Sequence, residues 1–310
     1  MGNIEVMVSL VAIVVVGFIA GKIGYMNEEF DRKLSALIVN ITCPALIISS
    51  TMGDTLPDRN MILPLLGISF LTYILLTAVS LFVPRLLTRN KEDEGVVGFA
   101  LMFGNVGFIG YPIVASIFGS EAVFYAAILN VANTFFVFTI GYMLVANDNG
   151  NIKSRLWAKF EKKVLYSTPM LSAYLAMLIV AFGITGIPAA ISKPLTMIGN
   201  ITVPGALLII GSTMAQLSGK AMLGNVTVYV TSLCRLVVIP LGMYLLFNSV
   251  GFSPYVVNIN TVIIAMPVAT YGTILCLINN KDTTLMTELT FTTTILSMFS
   301  IPLLAQYFGA

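Results

Sequence analysis

The residues able to do chemistry in this chain are few, and they are binding groups. Arg235 stands inside the apolar run 221–247, fifteen positions after Lys220, or roughly 20 Å along a helix. An ionisable side chain at that depth is costly to desolvate and marks function by default. Its guanidinium could bind backbone carbonyls, reach Glu288, or face a cavity and hold an anion through its planar fork. A second set lies in Phe103-Gly104-Asn105-Val106-Gly107-Phe108-Ile109-Gly110-Tyr111-Pro112-Ile113, within a chargeless stretch from Gly95 to Ser120. Pro112 lacks a backbone N–H and crowds the preceding turn, so the helix should loosen or break there. Gly104, Gly107 and Gly110 weaken it further. Freed N–H groups at a helix start attract a carboxylate. The Asn105 amide, two turns before Pro112, could donate to the same group or cap the freed backbone. Asn260 and Thr270 flank Pro267 in a similar setting. The structural alternatives are a glycine-rich packing face with a proline kink and an Asn105 that bonds a neighbouring helix.

Asn130 and Asn133, three apart, share one helical face. Interhelical bonding and, for Asn133, substrate contact are both open. Asn40-Ile41-Thr42-Cys43-Pro44 and Asn200-Ile201-Thr202-Val203-Pro204 should bend their helices and could line a cavity. No carboxylate is evident at the depth of Arg235, which leaves sodium or proton coupling without an obvious acidic ligand. The chain has no histidine, which excludes His-based acid–base catalysis, His metal sites and Ser-His-Asp triads. Cys43, Cys234 and Cys276 lie far apart in apolar runs and form no disulfide or zinc pattern. No enzyme, cofactor or metal centre is expected. A net charge of +2 offers nothing to nucleic acid.

The elements that must position these groups are membrane helices. Of 310 residues, 57% are hydrophobic and 10% charged, against about 25% charged in a soluble domain. Residues 1–20 lack a basic start and a cleavage site, so they read as a retained first span. Ten segments approach the ~20 apolar residues that a span needs: 4–22, 33–52, 61–83, 95–118, 121–145, 165–184, 189–214, 221–247, 256–278 and 285–308. Alternating loops then put Lys22, Arg32, Lys33, Arg85, Arg89, Lys91, Lys153, Arg155, Lys159, Lys162, Lys163, Lys220 and Lys281 on one side, and only Arg59 and Lys193 on the other. A miscounted span would scramble that asymmetry, which places the basic loops in the cytoplasm and both termini outside. The basic linker 146–164, carrying Trp157, could lie on the inner membrane surface or be a solvated connection.

An internal repeat follows. The two Asn-Ile-Thr-x-Pro segments are 160 residues apart, and Ile109–Ala115 weakly matches Ile264–Thr270. Each pair falls five spans apart. Five is odd, so the second half would cross the membrane upside down, as in many secondary transporters. The expected domains are 1–145, the linker 146–164, and 165–310.

The run Gly17-Phe18-Ile19-Ala20-Gly21-Lys22, the Asn40–Pro44 segment, Asn105–Pro112 and Ala265-Met266-Pro267 together resemble the auxin efflux carrier family over essentially the whole chain. Its prokaryotic members resemble malate and malonate permeases. The resemblance implies ten transmembrane helices in two inverted five-helix repeats. It implies that spans four and nine break and cross near the midplane at positions matching Pro112 and Pro267. Spans one, two, six and seven would form a scaffold and the other six a moving unit. It favours Asn105, Pro112 and Pro267 as substrate-facing, with Gly107, Gly110, Thr270, Asn133, Asn260 and Arg235 as further candidates. The implied activity is secondary transport of small organic anions by alternating access, in a bacterial cytoplasmic membrane and as a homodimer. Rivals are a sodium- or proton-coupled carrier of the bile-acid-symporter-like fold with another substrate, and a membrane sensor that binds without flux. The plant members' long central loop is absent here, so regulation through it has no basis.

Overall fold

The computed structural model describes residues 3–53, 56–146, 166–216 and 225–308. Among these the chain is helical apart from its connections and one isolated backbone bridge. In chain order the helices are α1 (Asn3–Lys22), α2 (Glu28–Ser49), α3 (Arg59–Phe82), α4 (Glu94–Met102), α5 (Val106–Phe118) and α6 (Ala122–Ala146). They continue as α7 (Thr168–Ala181), α8 (Ala189–Gln216), α9 (Val226–Val250), α10 (Pro254–Ile264), α11 (Tyr271–Ile278) and α12 (Thr284–Phe308). A single turn, Pro84–Leu87, follows α3. Five of these helices, α2, α3, α6, α8 and α9, are long and apolar enough to cross a bilayer. With the shorter apolar helices they make this a polytopic membrane protein. The segments 95–118 and 256–278, read from sequence as single spans, are each two helices with a gap between them. Most of the linker 146–164, with Trp157 and its five basic residues, lies outside the described residues.

Close backbone approach joins α1 to α8. A β-carbon added to Gly17 would fall on the Leu208 carbonyl oxygen, and one added to Gly211 on that of Val14. Small residues in apolar helices permit this, and dispersion then operates along the whole contact. The helix α2 lies against α8, where Thr202 Oγ1 donates to Thr42 Oγ1 at 2.9 Å. These are corresponding residues of the two Asn-Ile-Thr-x-Pro segments.

Prolines are accommodated in one recurring way. Wide turns with i to i+5 bonding at Ile38–Thr42, Val106–Gly110 and Cys234–Val238 each end two residues before a proline, at Pro44, Pro112 and Pro240. A proline ring collides with the carbonyl four residues back and supplies no N–H. In all three cases that carbonyl lies in the wide turn, which moves it aside without ending the helix. The second motif is handled differently: α8 leaves helical bonding at Asn200 and Ile201 and resumes at Thr202.

Two expectations are corrected. Pro112 does not mark the break in its span, because the wide turn absorbs it. The chain leaves the helix earlier, at Phe103–Asn105, between α4 and α5. Pro112 is therefore not the counterpart of Pro267, which does lie in the gap between α10 and α11.

Candidate functional site

The two gaps lie against each other. The Asn105 N–H donates to the Pro267 carbonyl at 2.8 Å, and the Ala269 N–H donates to the Phe103 carbonyl at 3.0 Å. Gly104 and Val268 thereby form an antiparallel bridge between segments more than 160 residues apart. In an apolar surrounding an unpaired backbone group costs several kcal/mol. Pairing the two gaps satisfies donors and acceptors that neither helix can satisfy alone.

Arg235 closes the negative ends of this arrangement. Only 1% exposed, it donates from Nε to the Met266 carbonyl at 3.1 Å and from Nη1 to the Leu101 carbonyl at 2.9 Å. Leu101 lies in the last turn of α4 and Met266 just past the end of α10, where the helix dipoles are negative and a cation is favoured. Of the three partners open to Arg235 from the sequence, the backbone carbonyls are the ones it has. Gly104 makes room for it, since a β-carbon there would collide with Nη2.

The positive ends are treated unequally. At the start of α5, Asn105 Oδ1 accepts from the Phe108 N–H at 3.3 Å, and the Asn105 carbonyl accepts from Ile109 and Gly110. This use of the oxygen leaves Asn105 Nδ2 without a partner among the described residues, in a side chain 9% exposed. The Gly107 N–H also has no partner among them, and the space its missing β-carbon would fill is open. Gly107 is tied to α2 through its carbonyl, 3.8 Å from Cys43 Sγ. Gly110 instead packs on Ile263 and Met266. On the other side, the Val268 N–H donates to Thr293 Oγ1 of α12 at 3.0 Å. Thr270, at the start of α11, is exposed and makes no capping bond.

Family comparison decides what kind of molecule carries this arrangement. The model of a family described as membrane transport protein matches residues 3–305. The chain belongs to that family, the auxin efflux carriers. It is 27% identical to a protein named "Uncharacterized transporter" from Methanothermobacter thermautotrophicus, across 98% of this chain and 97% of that one. It is 26% identical to "Uncharacterized transporter MJ1031" from Methanocaldococcus jannaschii, with 96% of each covered. A "Putative malonate transporter" from Rhizobium meliloti is 24% identical over 83% of this chain and 81% of its own length. The family and these relatives are transporters, not enzymes.

In this family member, Asn133 and Asn260 stand one layer behind the paired gaps. Asn133 accepts from Tyr73 Oη at 2.8 Å and donates to Asn130 at 2.9 Å, while Asn260 donates to Thr72 Oγ1 at 3.1 Å. Both therefore hold α3, and Tyr73 stacks on Phe103 at the edge of the gap. Asn40 and Asn200 are exposed, whereas Thr42, Pro44 and Thr202 are buried and Pro204 is half-buried. A cavity of about 50 Å³ runs between α1 and α8 on one side and α5 and α12 on the other. Val14, Ile109, Ile113, Leu207, Ile210 and Met298 line most of it.

Sequence reasoning missed Tyr73, Thr293 and Asp31. Thr293 had a faint signal, the run Thr292-Thr293-Thr294 inside an apolar span. Asp31 precedes the second predicted span, 33–52, yet it is buried. A short run of charged residues does not reveal which one turns inward.

Proposed function

We propose that this chain is a secondary transporter of small organic anions, carboxylates such as malate or malonate or auxin-like acids, working by alternating access. The observation that carries it is the inequality of helix ends at the paired gaps. The carbonyl ends are already matched by Arg235, while Asn105 Nδ2 and the Gly107 N–H are uncommitted donors beside open space. Donors without acceptors in an apolar setting favour an anion. Arg235 then acts on substrate indirectly, by holding the gap in shape. The Rhizobium relative's name agrees with a carboxylate.

The proposed architecture is ten spans in two inverted five-helix repeats, 1–145 and 165–310, joined by 146–164. The like-to-like Thr42–Thr202 contact supports it, because corresponding residues meet on a two-fold axis. Helices α1, α2, α7 and α8 would be the static unit. The remaining helices would move along the apolar cavity seam, giving up the weak Cys43–Gly107 contact between α2 and α5. The protein would sit in a bacterial cytoplasmic membrane as a homodimer, with both termini outside. Substrate and direction are tested with purified protein in liposomes: labelled malonate, malate and an aromatic monocarboxylate in counterflow. Accumulation of at least one, lost in Asn105→Ala protein that still inserts, is the expected result. Saturable binding with no flux of any of them would make it a sensor instead. Imposed sodium and proton gradients separate coupled from uncoupled transport.

A further inference from the structure

Asp31 is a buried carboxylate that the paired gaps do not use. It lies in the first turn of the α-helical part of α2 and is 7% exposed. One oxygen is well served from α8: Ser212 Oγ donates to Oδ2 at 2.7 Å and Gln216 Nε2 donates to it at 2.8 Å. Gln216 Nε2 is also 2.8 Å from Ser212 Oγ, so the three side chains form one compact group. The other oxygen, Oδ1, is buried and has no hydrogen-bond partner among the described residues.

A carboxylate with one oxygen buried and bare is an expensive arrangement that calls for a ligand. The described charges do not supply one. Among the described residues the ion pairs are Lys33 with Glu29 and Arg85 with Glu94, and neither reaches Asp31. Lys22, at the end of α1, is exposed and lies over the Phe18 ring at 5.6 Å. The neighbouring cluster of Met26, Ile38, Ala206 and Ile209 is apolar. A β-carbon on Gly21 would lie 2.8 Å from Ala215 Cβ and 3.1 Å from Ser212 Cα, so α1 packs closely on α8 beside Ser212.

We propose that Asp31, Ser212 and Gln216 bind an alkali cation at the junction of α1, α2 and α8. Asp31 Oδ1 supplies the one negative charge, matching a monovalent ion; a divalent ion would want more carboxylates. Ser212 Oγ keeps a lone pair after donating to Oδ2, and Gln216 offers Oε1 when its amide turns over. The site shares no residue with the paired gaps.

The test is the melting temperature of purified protein in sodium chloride, potassium chloride or choline chloride at equal ionic strength, which needs no transport. At about 100 mM salt, a site binding in the millimolar range should raise the midpoint by a few degrees over choline, saturably. Asp31→Asn keeps the shape and an acceptor for Ser212 and Gln216, and should abolish the difference; Ser212→Ala should reduce it. Should Asp31→Asn fail to fold, the wild-type titration together with Ser212→Ala decides. Equal midpoints in all three salts, or an undiminished difference in Asp31→Asn, overturn the proposal. So does a midpoint that follows pH but not the cation, which would put a proton on Oδ1.

Discussion

The two helix gaps solve one problem with different materials. The first, Phe103–Asn105, is capped from within: Asn105 uses its own side-chain oxygen and carbonyl to close the start of α5. The second, between α10 and α11, is closed from outside, by Thr293 of α12 reaching the Val268 N–H. Self-capping costs one amide oxygen and leaves the amide nitrogen free at a place where Gly107 opens space. External capping buries Met266 and Val268 completely. Two gaps that pair symmetrically through their backbones thus have unequal side-chain surroundings, and the first is the one equipped to meet a ligand.

The largest effect should come from the clamp that both gaps share. Arg235→Ala leaves the Leu101 and Met266 carbonyls bare, at about 1–3 kcal/mol each. Thermal melting should fall accordingly and flux should vanish, with Arg235→Lys recovering part of both. Gly104→Ala should reproduce the loss, because its methyl group would take the Nη2 position. If Gly104→Ala melts like wild type, the clamp geometry is wrong. Next comes Thr293→Val, which strips the second gap of its cap at about 1–3 kcal/mol and should lower stability while leaving apparent substrate affinity unchanged. Asn105→Ala should do the reverse, costing about 1 kcal/mol as a lost cap but at least tenfold in flux or affinity. Asn105→Asp keeps an acceptor for the cap and places charge against an anion, so it should fold well and bind poorly. Equal behaviour of the Thr293 and Asn105 variants in stability and affinity would erase the distinction between the gaps.

The smallest effect lies outside the membrane-spanning segments. The Thr284 N–H and hydroxyl both donate to Asp282 Oδ1, at 2.9 and 2.7 Å, and hold that carboxyl below its ordinary range. A lowered carboxyl contributes stability above its unfolded value and loses it as pH falls through the folded value. Asp282→Asn should therefore leave neutral melting almost unchanged and flatten only the acid limb, read from melting temperature against pH.

Much of the site's location was legible in residues 103–113, since glycine clustering and a proline in apolar sequence can only weaken a helix. The position of the gap was not. Pro112 looked like the breaker, but a widened turn can absorb a proline, and whether it does depends on what packs beside the turn. Arg235 was visible as an anomaly, yet its partners were not, because carbonyls at helix ends carry no sequence signature. The reverse held for Asp31, whose neighbours Glu28, Glu29, Arg32 and Lys33 made it look like part of a solvated helix start.

By itself the sequence determined that this chain lives in a membrane, has no histidine chemistry, and weakens a helix somewhere within 103–113. These follow from hydropathy, residue inventory and local backbone preference, all short-range properties. Only the tertiary structure decided that the interruptions pair, that Arg235 spends its charge on Leu101 and Met266, and that Asp31 turns inward toward Ser212. Each of those is a match between a donor and an acceptor more than thirty residues apart, and such matches are set by how helices pack rather than by the composition of any one of them.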